Sequence, residues 1–176
     1  MLIFSDANAT FLHNPKAAGT SIKTWIRETA GYRPDNIVCD PHDVAEDKIK
    51  GFTFCCVRNP YQKMVSAYEY LRNFGGGRFR CSSFNEFVDD FDNERMHPFN
   101  RKQSYYSKHC DYIMRFENLE NDFKVIQEYF KCDKPLSVMN VAEYNKYDWK
   151  QYYNNTTKQR VKELCQEDLD LLDYEF

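Results

Sequence analysis

Residues 11–26, FLHNPKAAGTSIKTWI, pass from strand-like to helix-like character across a short loop. Phe11 to His13 read as the tail of a short buried strand, and Pro15, which has a fixed φ and no N–H, bars its extension. From Gly19 onward, Ile22, Trp25 and Ile26 recur at spacings of three and four, placing apolar side chains on one face of a helix. Between strand and helix, Ala17, Ala18 and Gly19 let the backbone approach a ligand closely. The N–H groups of a helix start would point at the same place. Lys16 adds a mobile positive charge, and Thr20 and Ser21 add hydroxyl donors. An ordinary turn and helix cap with a solvated lysine would use the same residues, so this loop alone leaves both readings open.

A second stretch, GFTFCCVRNP (51–60), has the same organisation. Phe52 to Val57 are β-branched, aromatic or thiol-bearing and read as a buried strand that stops at Arg58-Asn59-Pro60. Asn59 then caps a helix whose first position is Pro60, where a missing N–H costs nothing. Tyr61, Val65, Tyr68 and Leu71 share one face of that helix, which ends before Gly75-Gly76-Gly77. Ser83 is expected to cap a short helix through about Phe91. A strand is expected over Tyr112 to Phe116, a helix over Leu119 to Lys131, and a C-terminal helix from near Thr156. This alternation predicts an α/β fold, a parallel sheet flanked by helices, whose ligands sit beyond the C-terminal ends of the strands.

Both polar loops fall at such ends. Arg58 would leave its strand as a forked donor suited to an oxyanion, with Ser66 about two turns into the next helix. The alternative is an Arg58 paired with a carboxylate and a Ser66 that merely faces a neighbour. Two such sites after successive strands favour one extended phosphate-bearing ligand. Lys16 precedes Gly19, whereas the nucleoside triphosphate loop places Lys after the last Gly and a Ser/Thr magnesium ligand after that.

Length and composition narrow the classes. A chain of 176 residues suits a single domain, 1–176, able to bury about 70% of its unfolded surface. With 24 basic and 27 acidic residues and a net charge of -3, no global field favours nucleic acid or an anionic membrane. No apolar run reaches the roughly 20 residues of a membrane span, and the first residues carry no signal-peptide pattern. The expected location is cytoplasmic. Seven cysteines, odd in number and without paired zinc spacing, read as reduced thiols, mostly buried.

HNPKAAGTS (13–21) and FCCVRNPYQKMVSAY (54–68) resemble the 5′-phosphosulfate and 3′-phosphate motifs of sulfotransferases that use PAPS, 3′-phosphoadenosine 5′-phosphosulfate. The likeness is to carbohydrate sulfotransferases of the Golgi-type families. It continues through DYIMRFENLENDF (111–123), Gln103, Asn140 and the ending DLDLLDYEF (168–176), although Ala17 stands where Thr is frequent and the membrane anchor of Golgi relatives is not expected from these 176 residues. The resemblance implies a fold related to the P-loop kinases and a PAPS site that needs no metal. It assigns Lys16, Ala17, Ala18, Gly19, Thr20 and Ser21 to the 5′-phosphosulfate, and Arg58 and Ser66 to the 3′-phosphate. It also implies sulfuryl transfer to a hydroxyl acceptor, a carbohydrate, with PAP (3′-phosphoadenosine 5′-phosphate) as product.

Transfer to a hydroxyl needs a proton acceptor, and histidine titrates in the right range. Of His13, His42, His97 and His109, the choice falls on His42 in CDPHDVAED (39–47), where related carbohydrate sulfotransferases carry the base. The competing reading makes His42 a helix-capping or surface residue beside Asp43. Either Asp40 or Asp43 could orient its ring, while His13 is expected to be structural. Arg78, Arg80, Arg101 and Lys102 are candidates for contacting an acidic acceptor. Two other functions stay open, a small-molecule kinase with an altered phosphate loop and a nucleotide-binding module without catalysis.

Overall fold

The expected strand at Phe11 is present, and a partner the periodicity does not announce lies beside it. In a computed structural model describing residues 1–35, 42–76, 79–137 and 148–176, four strands form one sheet: β1 Leu2–Phe4, β2 Ala9–Leu12, β3 Phe52–Val57 and β4 Tyr112–Arg115. They lie in the order β1-β2-β3-β4. β2, β3 and β4 are parallel, with Phe11 opposite Phe54 and Phe54 opposite Tyr112. β1 runs antiparallel to β2, Leu2 opposite Phe11, so the sheet is mixed where a parallel one was expected. Three residues are too few for a period to declare itself, but Leu2 and Phe4 are buried and their pairing satisfies one backbone edge of β2.

The chain divides into two compact units, Met1–Val57 with Tyr105–Asn140, and Arg58–Ser104 with Val141–Phe176. The first holds the sheet. Its helix α1, Gly19–Thr24, continues into a wider π-helical turn, Trp25–Thr29, closed by Ala30 N–H to Trp25 O at 2.9 Å. Ile22, Trp25 and Ile26 are all buried, the face the spacing predicts. The Trp25 indole N–H donates to Lys134 O at 2.8 Å. Its ring meets Phe123 edge-on, centroids 4.8 Å apart.

The second unit is helical. Here α2, Pro60–Phe74, starts as predicted, with the Asn59 side chain accepting from Tyr61 N–H at 3.0 Å. α3, Phe84–Asp89, is capped by Ser83, which accepts from Glu86 N–H at 3.2 Å. A four-residue α4, Ser104–Ser107, was not foreseen; the chain passes from the second unit back to the first within it. It is followed in the first unit by β4 and then α5, Leu119–Tyr129, which carries Phe123 and Ile126 into the core with Phe4, Phe11 and Phe54. The expected single C-terminal helix is two: α6, Asn155–Leu164, and α7, Gln166–Leu172, separated by Cys165 at φ -112°. A capping box between Asn154 and Thr157 opens α6. The core of this unit gathers Tyr61, Met64, Val65, Tyr68, Phe84, Phe87, Val161 and Leu169.

Six described cysteines are free thiols, Cys55, Cys56 and Cys81 buried and Cys110, Cys132 and Cys165 half-buried; Cys39 lies outside the described residues. Among the described residues no helix is long and apolar enough to cross a membrane.

Phe123 is 2% exposed and clamped by the Trp25 ring, so Phe123→Ala is expected to cost about 3–5 kcal/mol. Urea unfolding of the two proteins, read as a shift in midpoint at constant slope, checks this.

Candidate functional site

The loop after β2 is held by its second residue. Asn14 is buried, and its side-chain amide donates to the carbonyl of Cys56 on β3 at 2.9 Å. Beyond Pro15 the backbone enters the left-handed region twice, at Lys16 (φ 64°) and Ala18 (φ 56°). For a residue with a Cβ that region costs on the order of 1–2 kcal/mol, and such outliers gather at ligand sites. Left-handed Ala18 leads directly into helical Gly19, the alternation that turns successive N–H groups into an anion-binding concavity. Ala18 occupies the N-cap position, where it offers no side-chain oxygen to the helix N–H groups. Lys16 is half-buried, Ala17 and Ser21 are buried, and Thr20 is exposed.

His13 forms the inner wall. A Cβ placed on Gly19 would lie 1.9 Å from His13 Cδ2 and 2.0 Å from Nε2, so only glycine fits against this ring. The other neighbour is His42, its ring centroid 4.5 Å from that of His13 and tilted by 42°. His42 Nδ1 lies 3.0 Å from the His13 carbonyl oxygen. A carbonyl can only accept, so this contact calls for the proton on Nδ1, which in the neutral ring leaves Nε2 as the basic atom. Tyr106 Oη–H donates to His42 O at 2.9 Å, and Val44 N–H donates to Tyr105 Oη at 3.1 Å. Two residues of α4 thus pin the segment that carries His42. The helix-cap alternative for His42 does not appear, since the short 3-10 turn that follows, Glu46–Lys48, is preceded by Ala45 at its N-cap. Burial lowers the pKa of His13 from 6.5 to about 3, with His42 and Lys23 acting in the same direction. His13 is therefore a neutral ring at physiological pH.

Arg58 and Ser66 belong to the second unit, 3% and 1% exposed. Arg58 Nε–H donates to Gln62 Oε1 at 3.1 Å. Its backbone is gripped by Gln103, whose Oε1 accepts from Arg58 N–H at 2.9 Å while its Nε2–H donates to Arg58 O at 2.7 Å. Gln103 is held in turn by the buried carboxylate of Asp168 on α7, which accepts from Gln103 N–H at 2.8 Å and from Ser104 N–H at 2.9 Å. The buried Lys63 ammonium donates to Arg101 O at 3.0 Å. Desolvation lowers its pKa and Asp168 acts in the opposite direction.

Lys16 to Ser21 and His42 are thus gathered in one unit, with Arg58 and Ser66 in the other. Of the basic acceptor candidates, Lys102 pairs with Glu167 at 2.6 Å and Arg101 contacts His97 at 2.7 Å. Arg80 is exposed. Arg78, Asp40 and Asn140 lie outside the described residues. Sequence reasoning assigned no role to Asn14, Tyr105, Tyr106 or Asp168, whose partners lie 42 to 65 residues away along the chain. Gln103 was singled out only through resemblance. Comparison with protein-family models, curated proteins and solved structures finds no match to this chain.

Two outcomes are expected from this geometry. Gly19→Ala drives a methyl into the His13 ring and should destabilise by about 1–3 kcal/mol. Adding His13→Ala should recover part of that loss, which a double-mutant cycle in urea would register as coupling. For pH, the unfolded chain takes up a proton near 6.5 that folded His13 refuses until about pH 3. Stability from this residue therefore falls as pH drops through that window, by up to about 1.4 kcal/mol per unit. Urea melts at pH 7, 6 and 5 should show the fall, and His13→Phe should flatten it.

Proposed function

We propose that the chain is a PAPS-dependent sulfotransferase acting on a hydroxyl, with a carbohydrate as the acceptor class. The observation that carries this reading is the pairing, within one unit, of a doubly left-handed loop at a helix start with an imidazole whose Nε2 is the basic atom. The resemblance of segments 13–21 and 54–68 to the family's two phosphate motifs, together with the relation to P-loop kinases that it implies, supports the same reading.

Bound PAPS would supply the sulfuryl group, whose S–O bond to the 5′-phosphate breaks as a bond to the acceptor oxygen forms. Lys16 would neutralise charge growing on the bridging oxygen, and the N–H groups from Ala18 onward would bind the phosphate. Thr20 and Ser21 add hydroxyl donors to the same phosphate. His42 Nε2 would take the acceptor's hydroxyl proton while its Nδ1–H stays on the His13 carbonyl. Arg58 and Ser66 are assigned to the 3′-phosphate, with Gln103 and Asp168 holding the Arg58 backbone ready. The Arg58 Nε–H bond to Gln62 Oε1 restrains the side chain as well, which keeps the ordering needed on binding small.

PAP at about 100 times its dissociation constant should add roughly 2.7 kcal/mol and raise the melting midpoint by several degrees. ATP with magnesium should leave the midpoint unchanged; a shift with ATP and magnesium but none with PAP would move the reading to a kinase. With labelled PAPS and a panel of saccharide acceptors, Lys16→Ala and His42→Ala are expected to lower kcat by 100-fold or more while circular dichroism stays native. Near-normal turnover in both would remove their roles, and tight PAP binding without transfer to any acceptor would leave a binding module.

A further inference from the structure

Three features of His13 converge on one role. The edge of its ring is seated on Gly19, close enough that no Cβ could intervene. The ring also packs against His42, centroids 4.5 Å apart and planes tilted by 42°. Its carbonyl receives His42 Nδ1 at 3.0 Å. The ring therefore spans from the anion loop to the imidazole, and nothing in the contacts requires it to react. Its Nδ1 is buried with no hydrogen-bond partner among the described residues, as befits a ring retained for its shape and placement.

We propose that His13 is a positioning residue that locks His42 in its Nδ1–H tautomer at a fixed offset from the loop. The inference rests, for its chemical consequence, on the sulfotransferase reading given above. The tautomer is informative because a neutral imidazole in water favours the opposite form, with the proton on Nε2. In that form the atom needed to accept a proton would already carry one. The His13 carbonyl selects the useful tautomer, and the His13 ring resists rotation of the His42 ring away from that carbonyl. Stacking against Phe11, 5.7 Å away, restrains the His13 ring in its turn.

The role would be carried by the ring's volume, which makes it separable from simple loss of folding. His13→Phe keeps a planar ring between Gly19 and His42, whereas His13→Ala removes it. Nitrogen-15 NMR of the full chain labelled at histidine reads the tautomer directly, without donor or acceptor present. The expected result is a protonated Nδ1 and a bare Nε2 for His42 in the parent chain and in His13→Phe, and a mixture of tautomers in His13→Ala. In labelled-PAPS assays, His13→Ala should lower kcat by tenfold or more, leave KM for PAPS within threefold, and be rescued to within threefold of the parent by phenylalanine.

An Nε2–H tautomer in the parent chain, or an unchanged His42 spectrum in folded His13→Ala, would overturn the proposal. If the spectra follow the expected pattern but PAP leaves the melting midpoint unmoved, the positioning stands and the sulfotransferase reading falls.

Discussion

Asn14 leaves β2 with its side-chain amide donated to the Cys56 carbonyl on β3, and this bond, 2.9 Å long and shielded from water, anchors the start of the loop. Parallel pairing of β2 with β3 puts the ends of both strands on the same side of the sheet. A buried amide that bridges two such ends is costly to break, because either group left alone would lose its hydration without compensation. The loop can then hold Lys16 and Ala18 in a conformation that a freer segment would relax. In this sense the stable sheet underwrites the strained loop.

Electrostatics divides labour between neighbouring groups. With a net charge of -3 the chain has no overall attraction for anions, so any anion site must be local. Lys16 is the loop's cationic residue, and His13, buried against Gly19, stays neutral down to about pH 3. The His42 ring, centroid 4.5 Å away, therefore faces an uncharged neighbour. Burial thus does two things with one residue, fixing geometry and withholding charge.

The second unit uses a different device. Asp168 spends both carboxylate oxygens on the backbone N–H groups of Gln103 and Ser104, and Gln103 spends its whole amide on the backbone of Arg58. These are directional bonds to main-chain atoms in a buried setting, stronger in effect than exposed ion pairs such as Lys102 with Glu167. The arrangement fixes the Arg58 backbone, while the side chain makes its own contact, Nε–H to Gln62 Oε1.

Much of this was legible in the chain alone. The helix face of Ile22, Trp25 and Ile26, the Asn59 cap with Pro60 behind it, the Ser83 cap and the strands at Phe11, Phe52 and Tyr112 all follow from local stereochemistry and periodicity, which operate over a few residues. β1 was missed because three residues carry no usable period. The break at Cys165 was missed because nothing there excludes a continuous helix. The candidate loop was readable for a related reason, since Lys, Gly and hydroxyl residues lie within six positions of one another. What only the tertiary structure decided are the long-range partners: His42 against His13, Tyr105 and Tyr106 on the His42 segment, and Asp168 behind Gln103. Those pairs are 29 to 65 residues apart, and no local preference can specify a contact that exists only after the chain has folded over that distance.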